Sequence, residues 1–224
     1  MGLDMYLNRM PRFEDATAKD VSTVESYFDW KKAKEEGSEY AQGSFRDWSR
    51  RDTPPKRYRD FYKEFYKTTY SDWDTEHKYP WTRIMEEVGY WRKANSIHNW
   101  FVENVQDGID DCDYHDEVTK ETLEELLDIC ERVLESCELV DGEINNGYEY
   151  TIEKGRVPIM EQGKIVKDSS LAEKLLPSTC GFFFGSTDYD EYYVEDIQHT
   201  IDIITKVLET TDFETQMVYY VSSW

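Results

Sequence analysis

Carboxylates are the most numerous chemistry-bearing groups in this chain, and they cluster. Residues 107–117 (DGIDDCDYHDE) hold six carboxylates, one thiol and one imidazole. Hard cations need several converging oxygens, and Asp111, Asp113 and His115 alternate in a way that could offer them. The run lacks the Asp-x-Asp-x-Asp-Gly order of an EF-hand loop, and its ligand count falls short of a dedicated metal centre. The expectation is an acidic, helix-breaking linker with no metal and no cofactor. Asp110, Asp111 and Asp113 are then candidates for contact with a cationic partner. A second cluster sets Glu121, Glu124, Glu125, Asp128, Glu131, Glu135 and Glu138 along one helical face, with Arg132 among them. Like charges at three- and four-residue spacing weaken a helix by a few tenths of a kcal/mol per pair. Such a line is either a solvated surface or a ridge that docks on a basic groove, its carboxylates standing where phosphates would.

A third group is polar and aromatic. Trp91, Arg92, Asn95, His98 and Trp100 fall on a stretch read as helical, and Asn95 and His98 are one turn apart. Guanidinium, amide and imidazole beside indole rings suit a nucleotide-like planar ligand. His98 would be its general base if the site were catalytic, although a buried, hydrogen-bonded histidine is the commoner arrangement. The segment Gly181-Phe-Phe-Phe-Gly185-Ser-Thr precedes a helix, where backbone donors could hold an anion, so Ser186 joins this ligand set. It has no P-loop lysine and no dinucleotide fingerprint. Ser186 or Thr187 as a helix N-cap is the simpler expectation. No Gly-x-Ser-x-Gly or HExxH motif occurs, which weighs against an enzyme. A basic-aromatic stretch (Arg46, Arg50, Arg51, Lys56, Arg57, Arg59, Lys63, Lys67) could stack single-stranded nucleic acid, but Asp47, Asp52, Asp60 and Glu64 dilute it.

The whole chain has 224 residues and a formal net charge of −22. Residues 1–100 are neutral, with 18 basic and 18 acidic side chains, so the surplus belongs to the remainder, with 8 basic and 30 acidic. A surplus this one-sided repels nucleic acid and anionic lipid and attracts basic surfaces. Hydrophobic residues make up only 39%, but 15% aromatic content argues for a folded chain rather than a disordered one. No apolar run approaches the length of a membrane span. Residues 1–10 include Asp4 and Arg9 and lack the apolar core of a signal peptide. Cys112, Cys130, Cys137 and Cys180 show no CxxC pair, which predicts reduced, structural thiols in the cytoplasm.

The elements that must position these groups follow from periodicity. Residues 1–8 alternate as a half-buried strand. A short helix is expected near 21–36, and another after Asp52-Thr53-Pro54-Pro55, to about Lys67. Residues 82–105 read as one long helix on Ile84, Val88, Trp91, Ala94, Ile97, Phe101 and Val105. A second helix begins at Thr119 with Leu123, Leu126, Leu127, Cys130, Val133, Leu134 and Cys137 inward. Residues 144–167 read as a β-meander with turns at Asn146-Gly147, Lys154-Gly155 and Gln162-Gly163. A short helix at 170–176 precedes Pro177, a third long helix covers about 188–209, and 213–221 closes as a strand. The predicted fold is α+β: three long helices packed on a small antiparallel sheet that includes both terminal strands. It is a single domain over 1–224, with elaborations at about 9–80 and at the meander, 144–167.

Four segments, MGLDMYL at the start, GYWRKANSIHNWFVENVQDGIDDC at 89–112, LLPSTCGFFFGSTDYDEYYVED at 175–196 and YYVSSW at the end, resemble a family of small bacteriophage and bacterial proteins with no known activity. The resemblance spans about half the chain and assigns no functional residue. It implies a viral or mobile-element setting, in which proteins often counter host machinery. Together these readings predict an acidic, nucleic-acid-mimicking protein, comparable to an anti-CRISPR, that blocks a basic, nucleic-acid-binding host defence factor in the cytoplasm. It would contact neither nucleic acid nor membrane directly. The alternative is a small-ligand or nucleotide-binding protein, or an enzyme, built on Trp91, Arg92, Asn95, His98, Trp100 and Ser186.

Overall fold

The computed structural model describes residues 2–14, 16–37, 56, 60, 84–153, 155–181 and 184–224. Ten elements follow in order: β1 (Asp4–Pro11), α1 (Ala18–Glu35), β2 (Glu86–Arg92), α2 (Asn95–Val105), α3 (Lys120–Ser136), β3 (Leu139–Thr151), β4 (Gly155–Val166), α4 (Ser170–Leu175), α5 (Glu191–Thr210) and β5 (Gln216–Ser223). The fold is α+β as expected, with five helices among the described residues rather than three long ones. The terminal strands share one sheet of order β2-β1-β5. Arg12 N donates to Thr215 O and Lys93 N to Leu3 O, so both neighbours run antiparallel to β1. No described helix is long and apolar enough to cross a membrane. Most of the basic stretch, and the helix expected up to Lys67, lie outside the described residues; of that stretch Lys56 and Asp60 form an ion pair.

The chain divides into two compact units, residues 1–8, 87–213 and 218–224 in one, and 9–86 with 214–217 in the other. In the smaller unit, α1 is capped by Thr17, whose hydroxyl accepts from Asp20 N while the Asp20 carboxylate accepts from Thr17 N. This reciprocal box satisfies donors that a helix start otherwise leaves open. It begins α1 three residues earlier than the apolar pattern indicates. Glu25 holds the backbone amides of Ile84 and Met85 in the same unit.

The larger unit carries the apolar core. Leu3, just before β1, and Met5 and Leu7 within it are fully buried, which bears out the alternation at the N-terminus. They meet Trp91, Phe101 and Tyr220, and the last two stack at 4.2 Å between ring centres. Helix α3 buries Leu123, Leu126, Cys130 and Val133 and packs on α5, which buries Ile197, Thr200, Ile203, Ile204 and Val207. Burial pushes the Cys130 thiol up to about 12 and also raises Cys137, so neither is a reactive thiolate. Cys112 and Cys180 are exposed rather than packed, and all four thiols are free.

Two elements differ from the sequence reading. Residues 82–105 are not one helix: 86–92 is strand β2, and α2 starts only at Asn95. Lys93, at φ 64°, makes the turn between them, with Asn95 N donating to Lys93 O. Within 86–92 the buried positions are Gly89 and Trp91, two apart, which is the strand period. The deciding residue is Gly89, where an added Cβ would sit 2.6 Å from Ile203 Cγ2. Only a residue without a side chain lets α5 lie this close to the strand. Likewise 144–167 is no meander but part of one long hairpin, β3 paired antiparallel with β4. Of its three turn glycines only Gly155, at φ 69° and paired with Thr151, borders the turn. Asn146-Gly147 falls at a register shift, and Gly163 faces Gly142 inside the ladder. Added Cβ atoms there would meet Ile165 and Ile144 within 3 Å, so these glycines make room for isoleucines on the hairpin face.

Candidate functional site: an acidic helix face and a cleft

The polar-aromatic set divides. Trp91 is 1% exposed and donates its Nε1–H to Thr200 Oγ1 at 2.9 Å. Trp100 is buried edge-on against Phe101. His98 is also 1% exposed, with Nδ1 2.7 Å from the Tyr220 hydroxyl and Nε2 3.1 Å from Asp110 Oδ1. An ionised carboxylate only accepts, so Nε2 carries the proton and Nδ1 accepts from the tyrosine. Burial lowers the His98 pKa and the Asp110 charge works against it, which leaves a neutral, structural imidazole. Trp224 Nε1 donates to the same Asp110 oxygen at 3.1 Å. These three residues therefore belong to the core, and His98 has no open face with which to act as a base.

Arg92, Asn95 and Ser186 instead line a cleft of about 1030 Å³. Asn95 organises one wall. Its Nδ2 donates to Phe184 O at 3.1 Å and Ser186 O at 2.7 Å, and its Oδ1 accepts from Thr179 N at 3.0 Å. One amide thus anchors the segment after α4 to the start of α2. Ser186 and Thr187 do not cap α5, which begins at Glu191. The cap is Asp190, whose Oδ1 accepts from Tyr192 N and Tyr193 N. The helix start is occupied by this chain's own carboxylate, so the anion cradle anticipated at Gly181–Thr187 does not form there.

The cleft wall formed by the start of α5 and the residues just before it is acidic: Asp188, Asp190, Glu195 and Asp196 all line it. Burial, with Glu195 and Asp190 close by, pushes the Asp196 carboxyl up to about 7. Burial also raises Asp190, against the opposing pull of its two backbone donors. Reasoning from sequence missed these four residues because they read as the start of a helix. The available signal was the run DYDEYYVED (188–196), five acids interleaved with three tyrosines.

On α3, Glu121, Glu124, Glu125, Asp128, Glu131 and Glu135 are all exposed, as is Glu138 just beyond it. Thr119 caps the helix by accepting from Thr122 N, which places the acidic first turn at the favourable end of the helix dipole. Three carboxylates have local cations: Glu124 with Lys120 at 3.3 Å, Asp128 with Arg132 at 3.0 Å and Glu138 with Lys167 at 2.8 Å. Glu121, Glu125, Glu131 and Glu135 have no ion-pair partner among the described residues.

In the loop 107–117 three of the six carboxylates bond the protein's own donors. Asp110 serves His98 and Trp224. Asp111 Oδ1 accepts from Asp113 N at 2.9 Å and contacts His115 Nε2 at 2.8 Å, while Asp113 Oδ1 accepts from Tyr114 N. Asp110, Asp111 and Asp113 thus help fold the loop, while the Asp110 and Asp111 side chains stay 39% and 45% exposed. Among the described residues no group of three or more His, Cys, Asp or Glu side chains is arranged to hold a metal ion. No protein-family model, curated protein or solved structure matches this chain.

Proposed function

We propose that this protein is an acidic binding protein that occupies a basic, nucleic-acid-binding surface of a partner through the exposed face of α3. The observation that carries this reading is the row of four exposed carboxylates without ion-pair partners among the described residues, Glu121, Glu125, Glu131 and Glu135, on one N-capped helix. At 1.5 Å per residue the row spans about 21 Å, one open charge every ~7 Å. A single strand of B-DNA carries one charge per ~3.4 Å. The helix face is therefore about half as dense as a phosphate strand, enough to compete for a cationic groove. The loop 107–117, three of whose carboxylates make internal hydrogen bonds, is left out of the contact surface. The sequence resemblance to phage proteins supports a host factor as the partner.

The test is affinity capture from a bacterial lysate across a salt series, with wild type and the Glu121→Gln, Glu125→Gln, Glu131→Gln, Glu135→Gln quadruple variant. A basic nucleic-acid-binding protein should be retained by wild type at low salt. It should be released as salt screens the attraction, and the quadruple variant should fail to hold it. Retention that ignores salt, or that the quadruple variant preserves, overturns the reading.

A further inference from the structure

The geometry points to the cleft beside α5 as a binding site for a small organic cation, an ammonium or guanidinium compound of polyamine type, held by Asp190 and Asp196 against the rings of Tyr150 and Tyr192.

The first observation is an unmet acceptor. Asp190 is 2% exposed and lines the cleft. Both backbone donors at the α5 start go to its Oδ1, and Oδ2 has no hydrogen-bond partner among the described residues. A buried carboxylate oxygen without a donor is costly and is rarely left so. A cationic N–H donor entering the cleft supplies the missing bond with the strongest available type, a charge-assisted one.

The second observation is the sign of the surroundings. Four carboxylates line this space with two cations, Arg92 and Lys93. The Arg92 guanidinium also has Asp4 as a partner, 4.0 Å away. The excess is negative. An anionic ligand would be repelled, and the α5 start that could attract one is already filled by Asp190.

The third observation is the aromatic lining. Tyr150 is 82% exposed and Tyr192 50% exposed, and both border the cleft. Ring faces attract ammonium and guanidinium groups, which combine with carboxylates in recognising organic cations. A volume of about 1030 Å³ is far more than a bare metal ion fills and lies at the upper end of small-molecule sites. This site is separate from the α3 face and stands whether or not that face binds a partner.

The experiment is isothermal titration with spermidine near physiological salt, on wild type, Asp190→Asn, Asp196→Asn, Tyr192→Leu and the quadruple α3 variant. Asn caps a helix as well as Asp does, so Asp190→Asn keeps α5 capped while removing the charge. Wild type should bind one equivalent saturably. Asp190→Asn and Asp196→Asn should each weaken binding by about tenfold or more, as loss of a charged hydrogen bond implies. Tyr192→Leu should weaken it severalfold, and the quadruple α3 variant should match wild type. The absence of saturable binding overturns the inference. So does a quadruple variant that loses as much affinity as the cleft variants, since spermidine would then be responding to net charge alone. If Asp190→Asn fails to fold by circular dichroism, Asp196→Asn and Tyr192→Leu decide between the same outcomes.

Discussion

Replacing Asn95 with alanine tests how the cleft wall is held. The Asn95 side chain makes three hydrogen bonds, to Phe184 O, Ser186 O and Thr179 N, across 84 to 91 residues of sequence. Each such bond contributes about 1 kcal/mol net. Phe184 is buried, so its abandoned carbonyl cannot turn to water and adds a desolvation cost of about 1–2 kcal/mol. The sum is a loss of about 4 kcal/mol, set against the 5–15 kcal/mol that stabilises a typical domain. Urea unfolding followed by tryptophan fluorescence reads this directly, since Trp91 and Trp100 are buried in the same unit. Amide exchange at Thr179 reads it locally. Asn95→Asp sharpens the test: it retains shape and acceptor but turns a carboxylate toward two carbonyl oxygens. It should be less stable than Asn95→Ala at pH 8. Relative to wild type it should recover on acidification, because protonation restores one donor. A loss below about 1 kcal/mol, with Thr179 protection unchanged, would show that the segment is held by other contacts and refute the reasoning.

Gly89→Ala should cost about 2 kcal/mol by overpacking against Ile203; in urea unfolding the double variant with Ile203→Ala should lose less than the sum of the two single variants. Thr200→Val should cost about 2 kcal/mol, because the hydroxyl accepts from Trp91 Nε1 and donates to Asp196 O, and valine strands the buried indole N–H. Asp196 is held at about 7 in the folded protein against 3.8 unfolded. Its contribution is therefore fully present below pH 4 and fades as pH rises through 7. Asp196→Asn should be more stable than wild type by about 2 kcal/mol at pH 8, after allowance for its contact with solvent, and show no such gain at pH 4. Equal stability differences at both pH values would remove Asp196 as the titrating group.

Much of the architecture is legible in the residues alone, for a physical reason. A helix that buries one side must repeat its apolar residues at the helical period, so α3 announces itself through Leu123, Leu126, Cys130 and Val133, and α5 through Ile197 and Ile204. The alternation of Leu3, Met5 and Leu7 places β1 in the same way. The exposed carboxylates of α3 follow automatically, because whatever is not on the buried stripe faces solvent. Periodicity reports only that a segment is one-sided, not what it meets. Tertiary packing decided that residues 86–92 are strand, through the close approach of Ile203 to Gly89. It decided that Gly163 lies inside a ladder, opposite Gly142, rather than at a turn. It also separated Trp91, His98 and Trp100, which the core absorbs, from Arg92 and Asn95, which reach the cleft. The acceptors and donors that settle this, Tyr220, Asp110, Thr200 and Phe184, lie up to 122 residues from their partners. Pairings over such distances leave no periodic trace in the chain, so only the folded arrangement brings Asp190 and Asp196 to one wall and Tyr150 to the rim of the same space.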